Sequence, residues 1–539
     1  MPSSQRIEKS SRRLFTPVLL ATITLTLYIV ATTSISAVPR EFPFGFARVL
    51  PPAYWIAVGF SVVLLFLGLA SREKKYLLVS ALVLTILIPG LGDLTQSHPR
   101  DLNTTAAAEH IAKDGRFSPE ENIYLNFPGP AILFSSLILV AGASPHLAVR
   151  SFGLLYNVVV LGLSYVFFRR TTMGETQSLL SALLVVACFY YQGLLLYTSL
   201  MGFVFYIAIA GIIFASRKSR VDYFLLSVFF AAMVLSHAFS PFLTLAAVAG
   251  ISVGWIVMHA LLRRLRQERL AGEAPSVTPL ILVQFSTILA AYWAYFAFGP
   301  FSSAVLRLGS LQIFSHIELA GSPILSPQTP YMAAYSHVAE LYAPVLFLGF
   351  LAYLLLCRDG RKMQLILWIL GLGAAVFISL AGYVSEFFAR IFSFGILPLS
   401  YGVGRLYDSN IRSLRAAGII VLLAALALHL PAHYGQDAFL TIGDSAIEGT
   451  RFLANHSFSN ASIDSPRREF SWHFYVDIYR TWNANGPGSY YVLNHQGESL
   501  TLYSDGQSTL GELIQTVCSS QYDRVFTSGG FEIYYANES

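Results

Sequence analysis

Long apolar stretches recur along most of the chain, and no other feature constrains its fold so strongly. A helix that crosses the hydrocarbon core of a membrane needs about 20 mainly apolar residues, because every backbone N–H and C=O must find its partner inside the segment. Such stretches lie near positions 14–38, 52–70, 75–92, 128–143, 146–168, 178–194, 200–215, 222–236, 239–260, 278–298, 342–357, 363–382, 386–406 and 414–431. The sequence therefore predicts an α-helical polytopic membrane protein.

Charge is sparse and unevenly placed. Of the 539 residues, 55% are hydrophobic and only 12% are charged, with a formal net charge of +5. The lysines and arginines lie mostly in short loops between apolar stretches, which is the bias that orients membrane proteins. We therefore expect membrane lipids as partners, no nucleic acid, and a multi-pass protein of the cell (plasma) membrane.

The basic loops also predict which segments face outward. Basic clusters occur at 6–13, 72–75, 169–170, 217–220, 263–269, 358–362 and 405–415. If all of them are cytoplasmic, the N-terminus at 1–13 is cytoplasmic too. The transmembrane part, 14–431, then has its two long polar loops, 93–127 and 299–341, on the outer side.

One apolar stretch is in conflict with this scheme. Crossing at both 128–143 and 146–168 would put Arg169 and Arg170 outside, so about 13 transmembrane helices satisfy the charges and 14 do not. The segment 128–143 is short and begins beside Pro128, which favours a re-entrant or surface-lying segment. An error within 178–215 is the equal alternative.

Beyond position 431 the composition becomes mixed and polar. Short runs rich in Tyr and Val alternate there with turn residues, and 441–457 has the apolar spacing of an amphipathic helix. The sequence predicts a small C-terminal extracytoplasmic α/β domain over 432–539.

The polar stretch from Ser97 to Phe117 could be a solvated loop, which has to be polar in any case. A second interpretation rests on its order. An acid follows closely on a predicted span, a helix-compatible run ends at Gly115, and a proline-containing segment then leads back into the membrane at Pro128. This order suggests a built site at the outer surface.

On these residues the chain resembles the GT-C class of membrane glycosyltransferases, in particular the group of lipid-phosphate-sugar-dependent protein mannosyltransferases and aminoarabinose transferases. The positions that match the pattern of the group are Asp101, Gly115, Pro128, Gly142 with Ser144, and Arg150. The family often has Glu where this chain has Leu102, and two additional spans precede the matching one. Asp93 therefore stays an alternative to Asp101.

Three later segments are similar to archaeal-type members of the same class. "LSHAFSPFLTL" resembles their external histidine turn, and "SEFFARIFSFGILPLS" resembles their helix with an acid and an arginine. "YDRVFTSGGFEIYYAN" resembles the closing hairpin of their external domains.

The resemblance implies a membrane glycosyltransferase that transfers a hexosyl or pentosyl group with inversion. The donor would be a sugar on a polyprenyl (dolichyl-type) phosphate, and the acceptor a protein, lipid or glycan at the outer face. Asp101, or Asp93, would be the general base that takes the proton of the acceptor hydroxyl.

Phosphate stabilisation is assigned to basic residues at the outer surface. Arg390 is the first candidate, with Glu386 four residues before it on the same helical face, although the two could equally form an ion pair that locks helices. His237 either binds phosphate or acceptor or is a buried histidine bonded to nearby backbone. The further candidates for donor contacts are Arg100, Arg307 and His316.

No metal site is predicted. Asp93, His98, Asp101 and Glu109 match no metal-binding spacing, and arginine alone can stabilise a phosphate leaving group, so we expect no cofactor, with Mg²⁺ or Mn²⁺ as the alternative.

Two other functions compete with the glycosyltransferase. The first is a secondary transporter, which usually has repeated halves and ionisable residues near the bilayer midplane. Here the ionisable residues cluster at the predicted outer ends. The second is a non-catalytic assembly or lipid-handling protein.

Overall fold

The structure is a computed structural model that describes the chain in segments. These are residues 22–26, 50–71, 73–88, 99–116, 126–143, 145–171, 173–188, 197–215, 219–265, 279–298, 342–357, 359–379, 384–434, 449, 452, 462–464, 489–494, 522–528 and 531–536. The structural statements below concern these segments.

Helices make up almost all of the described chain before position 435. In chain order they are α1 (Pro52–Ser71), α2 (Lys74–Leu87), α3 (Pro99–Asp114), α4 (Gly129–Ala141), α5 (Pro145–Arg170), α6 (Glu175–Cys188), α7 (Tyr197–Ile213), α8 (Arg220–Ser236), α9 (Ser240–Arg264), α10 (Pro279–Tyr295), α11 (Tyr342–Leu356), α12 (Lys362–Ser379), α13 (Val384–Tyr407) and α14 (Arg412–Tyr434). Residues 22–26 are also helical. Every apolar stretch predicted from position 52 onward coincides with one of these helices, which confirms their type.

Four segments within the described helices are long and apolar enough to cross a membrane by length and composition. They are Pro52–Ser71, Phe152–Arg170, Ser240–Arg264 and Arg412–His429. The helix α4 has only 13 residues, which corresponds to about 20 Å at 1.5 Å per residue, against about 30 Å for the hydrocarbon core. The prediction of about 13 crossings therefore stays a prediction.

The helices show the polarity expected of a bundle in lipid. Large apolar side chains face outward, as Phe224, Leu280 and Leu355 do. Buried hydroxyl groups instead bond to the carbonyl one turn earlier in their own helix, as Ser61 does to Ala57 and Thr85 to Ala81. Without water a polar group must be satisfied inside the protein, so these bonds allow serine and threonine within the bundle.

Two glycines let α9 and α12 cross closely. A Cβ added at Gly250 would lie 2.8 Å from the Cα of Gly371, and one added at Gly371 would lie 2.4 Å from the carbonyl oxygen of Ala246. Small residues permit this backbone approach between helices in a membrane. Gly254 lies beside Leu367, so the two helices are antiparallel.

The described part of the C-terminal region contains four strands: β1 (Ser462–Asp464), β2 (Ser489–Asn494), β3 (Tyr522–Ser528) and β4 (Phe531–Ala536). They form a sheet of order β1-β2-β4-β3, in which β1 and β2 are parallel and the other pairs are antiparallel. The hairpin that "YDRVFTSGGFEIYYAN" predicts is present as β3 and β4. Most of the predicted helix at 441–457 lies outside the described residues, so the α/β domain stays a prediction.

Candidate active site

Contacts between basic loops define one end of the helical bundle. Lys74, the first residue of α2, forms an ion pair with Glu175 at the start of α6. Arg170, at the end of α5, lies 3.6 Å from the carboxylate of Asp222 in α8. Asp222 also accepts the backbone N–H of Ser219, which completes a capping box at the start of α8.

Two further basic loops lie at the same end. Arg361 donates to the carbonyl of Phe214 after α7, at 3.3 Å. Asp359 accepts from Nε of Arg405 at 3.1 Å and from the hydroxyl of Tyr401 at 3.0 Å. Because α9 and α12 are antiparallel, the arginines that end α9 also reach this end, which we call the basic end. The predicted cytoplasmic loops thus share one end wherever the structure describes them.

The candidate residues follow helices that run away from the basic end. α2 begins there at Lys74 and ends at Leu87, toward the opposite end of the bundle, here called the outer end. α3 packs against α4, α5 and α7. It stops at Gly115, whose φ of 66° is left-handed and whose N–H donates to the carbonyl of Ile111 at 2.9 Å. The predicted helix ending at Gly115 is confirmed.

Asp101 and Arg100 lie in the first turn of α3, and only their backbone is described. Buried residues farther along this helix include Thr105 and Ala108. α3 is thus a polar helix that packs against an apolar bundle.

The entry to α4 is held by contacts with two other helices. The hydroxyl of Tyr292 in α10 donates to the carbonyl of Asn126 at 2.5 Å, and the ring of Phe127 lies 6.2 Å from that of Tyr292. Gly129 lies beside Ser236 at the end of α8, since a Cβ added there would meet the Ser236 hydroxyl at 2.6 Å. This segment therefore lies against the outer ends of α8 and α10.

His237 connects α8, α9 and α7 at the outer end. It is buried, with 7% of its surface exposed. Its Nδ1 accepts the backbone N–H of Ser240, the first residue of α9, at 3.1 Å and lies 2.7 Å from the Ser240 hydroxyl. Its Nε2 lies 2.9 Å from the hydroxyl of Ser199 in α7.

These bonds assign the state of the imidazole. A backbone N–H can only donate, so Nδ1 is the acceptor, the ring is neutral, and the proton is on Nε2, which donates to Ser199. In this arrangement His237 satisfies one of the unpaired N–H groups at the start of a helix and carries no positive charge.

Glu386 and Arg390 lie in the outer part of α13, and only their backbone is described. Fifteen residues separate Arg390 from Arg405 at the basic end, which is about 22 Å along a helix. Tyr206 of α7 bonds to Phe394, one turn from Arg390, and Ser199 lies two turns farther out on α7. The backbone of Arg390 is therefore near the level of the His237 turn.

Pro398 explains why Tyr206 binds at Phe394. A proline has no N–H, so the carbonyl four residues before it has no donor within its helix. The Tyr206 hydroxyl donates to this carbonyl at 2.9 Å and accepts from the indole N–H of Trp368 at 2.7 Å. These two hydrogen bonds connect α12 through α7 to α13 and so fix the helix that carries Arg390. They were not predicted from the sequence.

The remaining predicted site residues, Asp93, Arg307 and His316, lie outside the described residues, as does His98 of the metal alternative. Among the residues that are described, no three histidine, cysteine or acidic side chains are grouped so that they could hold a metal ion.

The arrangement is that of a multi-pass helical membrane protein with a basic end and, opposite it, an outer end where α3, the His237 turn and the first turns of α13 lie. The sequence matches no family model and no curated protein. The fold, however, is similar to the crystal structure of ArnT from Cupriavidus metallidurans bound to undecaprenyl phosphate. The TM-score is 0.50 and the identity 10%, over 86% of this chain and 98% of that one.

Two further solved structures have similar folds. The apo state of the same ArnT has a TM-score of 0.49 at 10% identity, with the same 86% and 98% covered. The oligosaccharyltransferase of Archaeoglobus fulgidus, in complex with Zn and sulfate, has a TM-score of 0.46 at 12% identity, over 81% of this chain and 70% of that one. The likeness to ArnT with its bound lipid phosphate confirms the predicted GT-C-like fold.

Proposed function

We propose that this protein is a membrane glycosyltransferase that uses a sugar linked to a polyprenyl phosphate and acts at the outer end of its bundle. The observation that carries the proposal is the position of α3. This helix, with Asp101 in its first turn, packs on α7, the helix that also contacts His237 and the part of α13 that follows Arg390.

The fold adds support for the donor. ArnT, whose fold is similar, is bound to undecaprenyl phosphate in one of the structures. A lipid of this kind keeps its chain in the hydrocarbon and its phosphate at the interface, which is the depth of the outer ends of α7 and α13. We therefore propose a polyprenyl-phosphate sugar as donor and leave the acceptor as a protein, lipid or glycan hydroxyl.

The chemistry requires two groups on opposite sides of the anomeric carbon. Asp101 takes the proton of the acceptor hydroxyl while the acceptor oxygen bonds to that carbon, and the bond from the carbon to the phosphate oxygen breaks. Attack opposite the leaving group inverts the configuration. Arg390 stabilises the phosphate that leaves, because a guanidinium acts strongly on an anion at a low-dielectric interface.

His237 is assigned a positioning role in this proposal. Its neutral ring bonds to Ser199 and Ser240, so it sets the distance between the outer ends of α7 and α9. Arg100, Arg307, His316 and Glu386 are proposed to contact the donor or to orient Arg390.

The direct test is Asp101→Asn in isolated membranes supplied with polyprenyl-phosphate sugars. We expect transfer to fall on the order of 10²-fold to 10⁴-fold, as for loss of a general base. The matched control is Asp114→Asn, which removes the same charge from the last residue of the same helix and should leave activity unchanged.

The same assay with Asp93→Asn decides between the two acids. Loss in this variant, with activity kept in Asp101→Asn, moves the base to Asp93. Full activity in both variants would overturn the proposed mechanism, and no transfer by the wild-type protein from any such donor would overturn the proposed function.

A further inference from the structure

A second polar site lies on α9, at the basic end and away from the proposed reaction. A cavity of about 490 Å³ is lined by Trp255, Ile256, His259, Ala260, Arg263 and Arg264. The tryptophan, the histidine and an arginine follow one another four residues apart, so they share one face of the helix.

The aromatic members of this face are already organised. The rings of Trp255 and His259 are parallel, with centroids 4.8 Å apart and planes inclined by 7°. Stacking fixes the imidazole without using its nitrogens. The site is thus formed before any ligand binds.

Two buried polar atoms of this pair have no hydrogen-bond partner among the residues that the structure describes. They are Nε1 of Trp255 and Nδ1 of His259. A buried polar atom without a partner costs about 1 to 3 kcal/mol, so a ligand oxygen that accepts from the indole N–H would remove part of a cost that the fold already carries.

The surroundings indicate the ligand. Along the outward side of the same helix, Val253, Ile256, Val257 and Leu261 are exposed apolar side chains, which suit acyl chains. Arg263 and Arg264, both exposed, follow within one turn of Leu261. An apolar surface that contains a tryptophan and ends in two arginines matches a phospholipid, whose chains end in a phosphate at the interface.

We propose that this face of α9 binds the phosphate of an anionic phospholipid in the leaflet at the basic end. The two arginines attract the anionic headgroup, Trp255 donates its indole N–H to a phosphate oxygen, and the acyl chains lie along the valines and Ile256. The site does not depend on the proposed sugar transfer, because it is at the opposite end of the bundle.

The test uses the full-length protein in lipid nanodiscs that contain phosphatidylcholine with phosphatidylglycerol as the anionic lipid. Native mass spectrometry then counts the phosphatidylglycerol molecules that stay bound. Each basic residue at an anionic surface contributes about fivefold in affinity, so the double variant Arg263→Gln/Arg264→Gln should lose retention on the order of thirtyfold. Retained phosphatidylcholine should not change.

Arg412→Gln is the matched control, because Arg412 is an exposed arginine at the same end, on α14, and does not line the cavity. It should keep the wild-type lipid count. Trp255→Phe, which keeps an aromatic ring against His259 but removes the indole N–H, should lower retention severalfold while the elution volume in size-exclusion chromatography stays the same.

Three results would overturn the proposal. The first is wild-type lipid retention in the double arginine variant. The second is an equal loss in the Arg412→Gln control, which would indicate general attraction to the basic end. The third is displacement of the lipid by millimolar inorganic phosphate, which would indicate a simple anion site.

Discussion

The two ends of the bundle hold their helices together by different means. At the basic end, ion pairs connect loops that are far apart in the chain, such as Arg170 with Asp222 and Arg405 with Asp359. At the outer end the described bonds join neutral groups. His237 bonds to Ser199 and Ser240, and Tyr292 donates to the carbonyl of Asn126 at the entry to α4.

This difference shows that charge alone does not mark a functional site in such a protein. The acids of the basic end neutralise neighbouring arginines and serve the fold. At the outer end the bonds that the structure describes join neutral groups, and these bonds hold α7, α8 and α9 together there. We interpret the basic end as the structural support, opposite the end at which we propose the reaction.

The largest effect on stability is expected at the buried ion pair of the basic end. Asp359, with only 8% of its side chain exposed, accepts from Arg405, from Tyr401 and from the backbone of Arg361. Asp359→Ala would leave Arg405 half-buried without its main partner, at a cost of about 3 kcal/mol. The measurement is the thermal unfolding midpoint of the purified protein in detergent.

Asp408→Ala is the control for this variant. Asp408 faces the same arginine, but at 3.9 Å and with 54% of its side chain exposed, so its removal should cost about 1 kcal/mol or less. If both variants lowered the midpoint equally, burial would not be the reason for the strength of the pair, and the contrast between the two ends would weaken.

A smaller effect is expected between the ends, at the bond that supports α13. Tyr206→Phe removes the donor to the Phe394 carbonyl and the acceptor for the Trp368 indole, and should destabilise the protein by about 1 to 3 kcal/mol. Tyr407→Phe is the same change at another buried tyrosine, whose hydroxyl has no hydrogen-bond partner among the described residues. Tyr407→Phe should therefore leave the stability unchanged or raise it slightly. If it lowered the stability as much as Tyr206→Phe does, the effect at Tyr206 could not be attributed to its bond with the carbonyl that Pro398 leaves without a donor.

Much of the fold could be predicted from the sequence because its signals are local. An apolar stretch of about 20 residues carries its own hydrogen bonds, so it forms a helix wherever it lies. The end of α3 at Gly115 and the hairpin of β3 and β4 are local in the same sense. The number of crossings is not, because it depends on where the short helix α4 lies relative to the membrane.

The contacts of the candidate site could not be predicted because they join distant positions. Ser199 and His237 are 38 residues apart, and Tyr206 and Phe394 are 188 residues apart. Pro398 does predict a carbonyl that needs a donor, but no sequence pattern selects Tyr206 to supply it. Asp101 was selected by its resemblance to a family pattern, and its side chain lies outside what the structure describes.

The smallest effect is expected at an exposed ion pair of the basic end, between Lys74 and Glu175. The ammonium of Lys74 lowers the pKa of the Glu175 carboxyl by a hydrogen bond and by its charge. A lowered pKa in the folded state means that the pair stabilises the protein above the usual glutamate range and that this contribution is lost as the pH falls through the lowered pKa. Because 69% and 39% of the two side chains are exposed, solvent screens the pair, and Glu175→Gln should have nearly the wild-type thermal midpoint at pH 7. The small remaining difference should disappear as the pH falls through the lowered pKa of Glu175. Thermal midpoints of both proteins, measured from pH 7 downward into the acid range, would show this convergence. A deficit at neutral pH as large as that of Asp359→Ala would instead mean that exposed pairs hold the basic end as firmly as the buried one does.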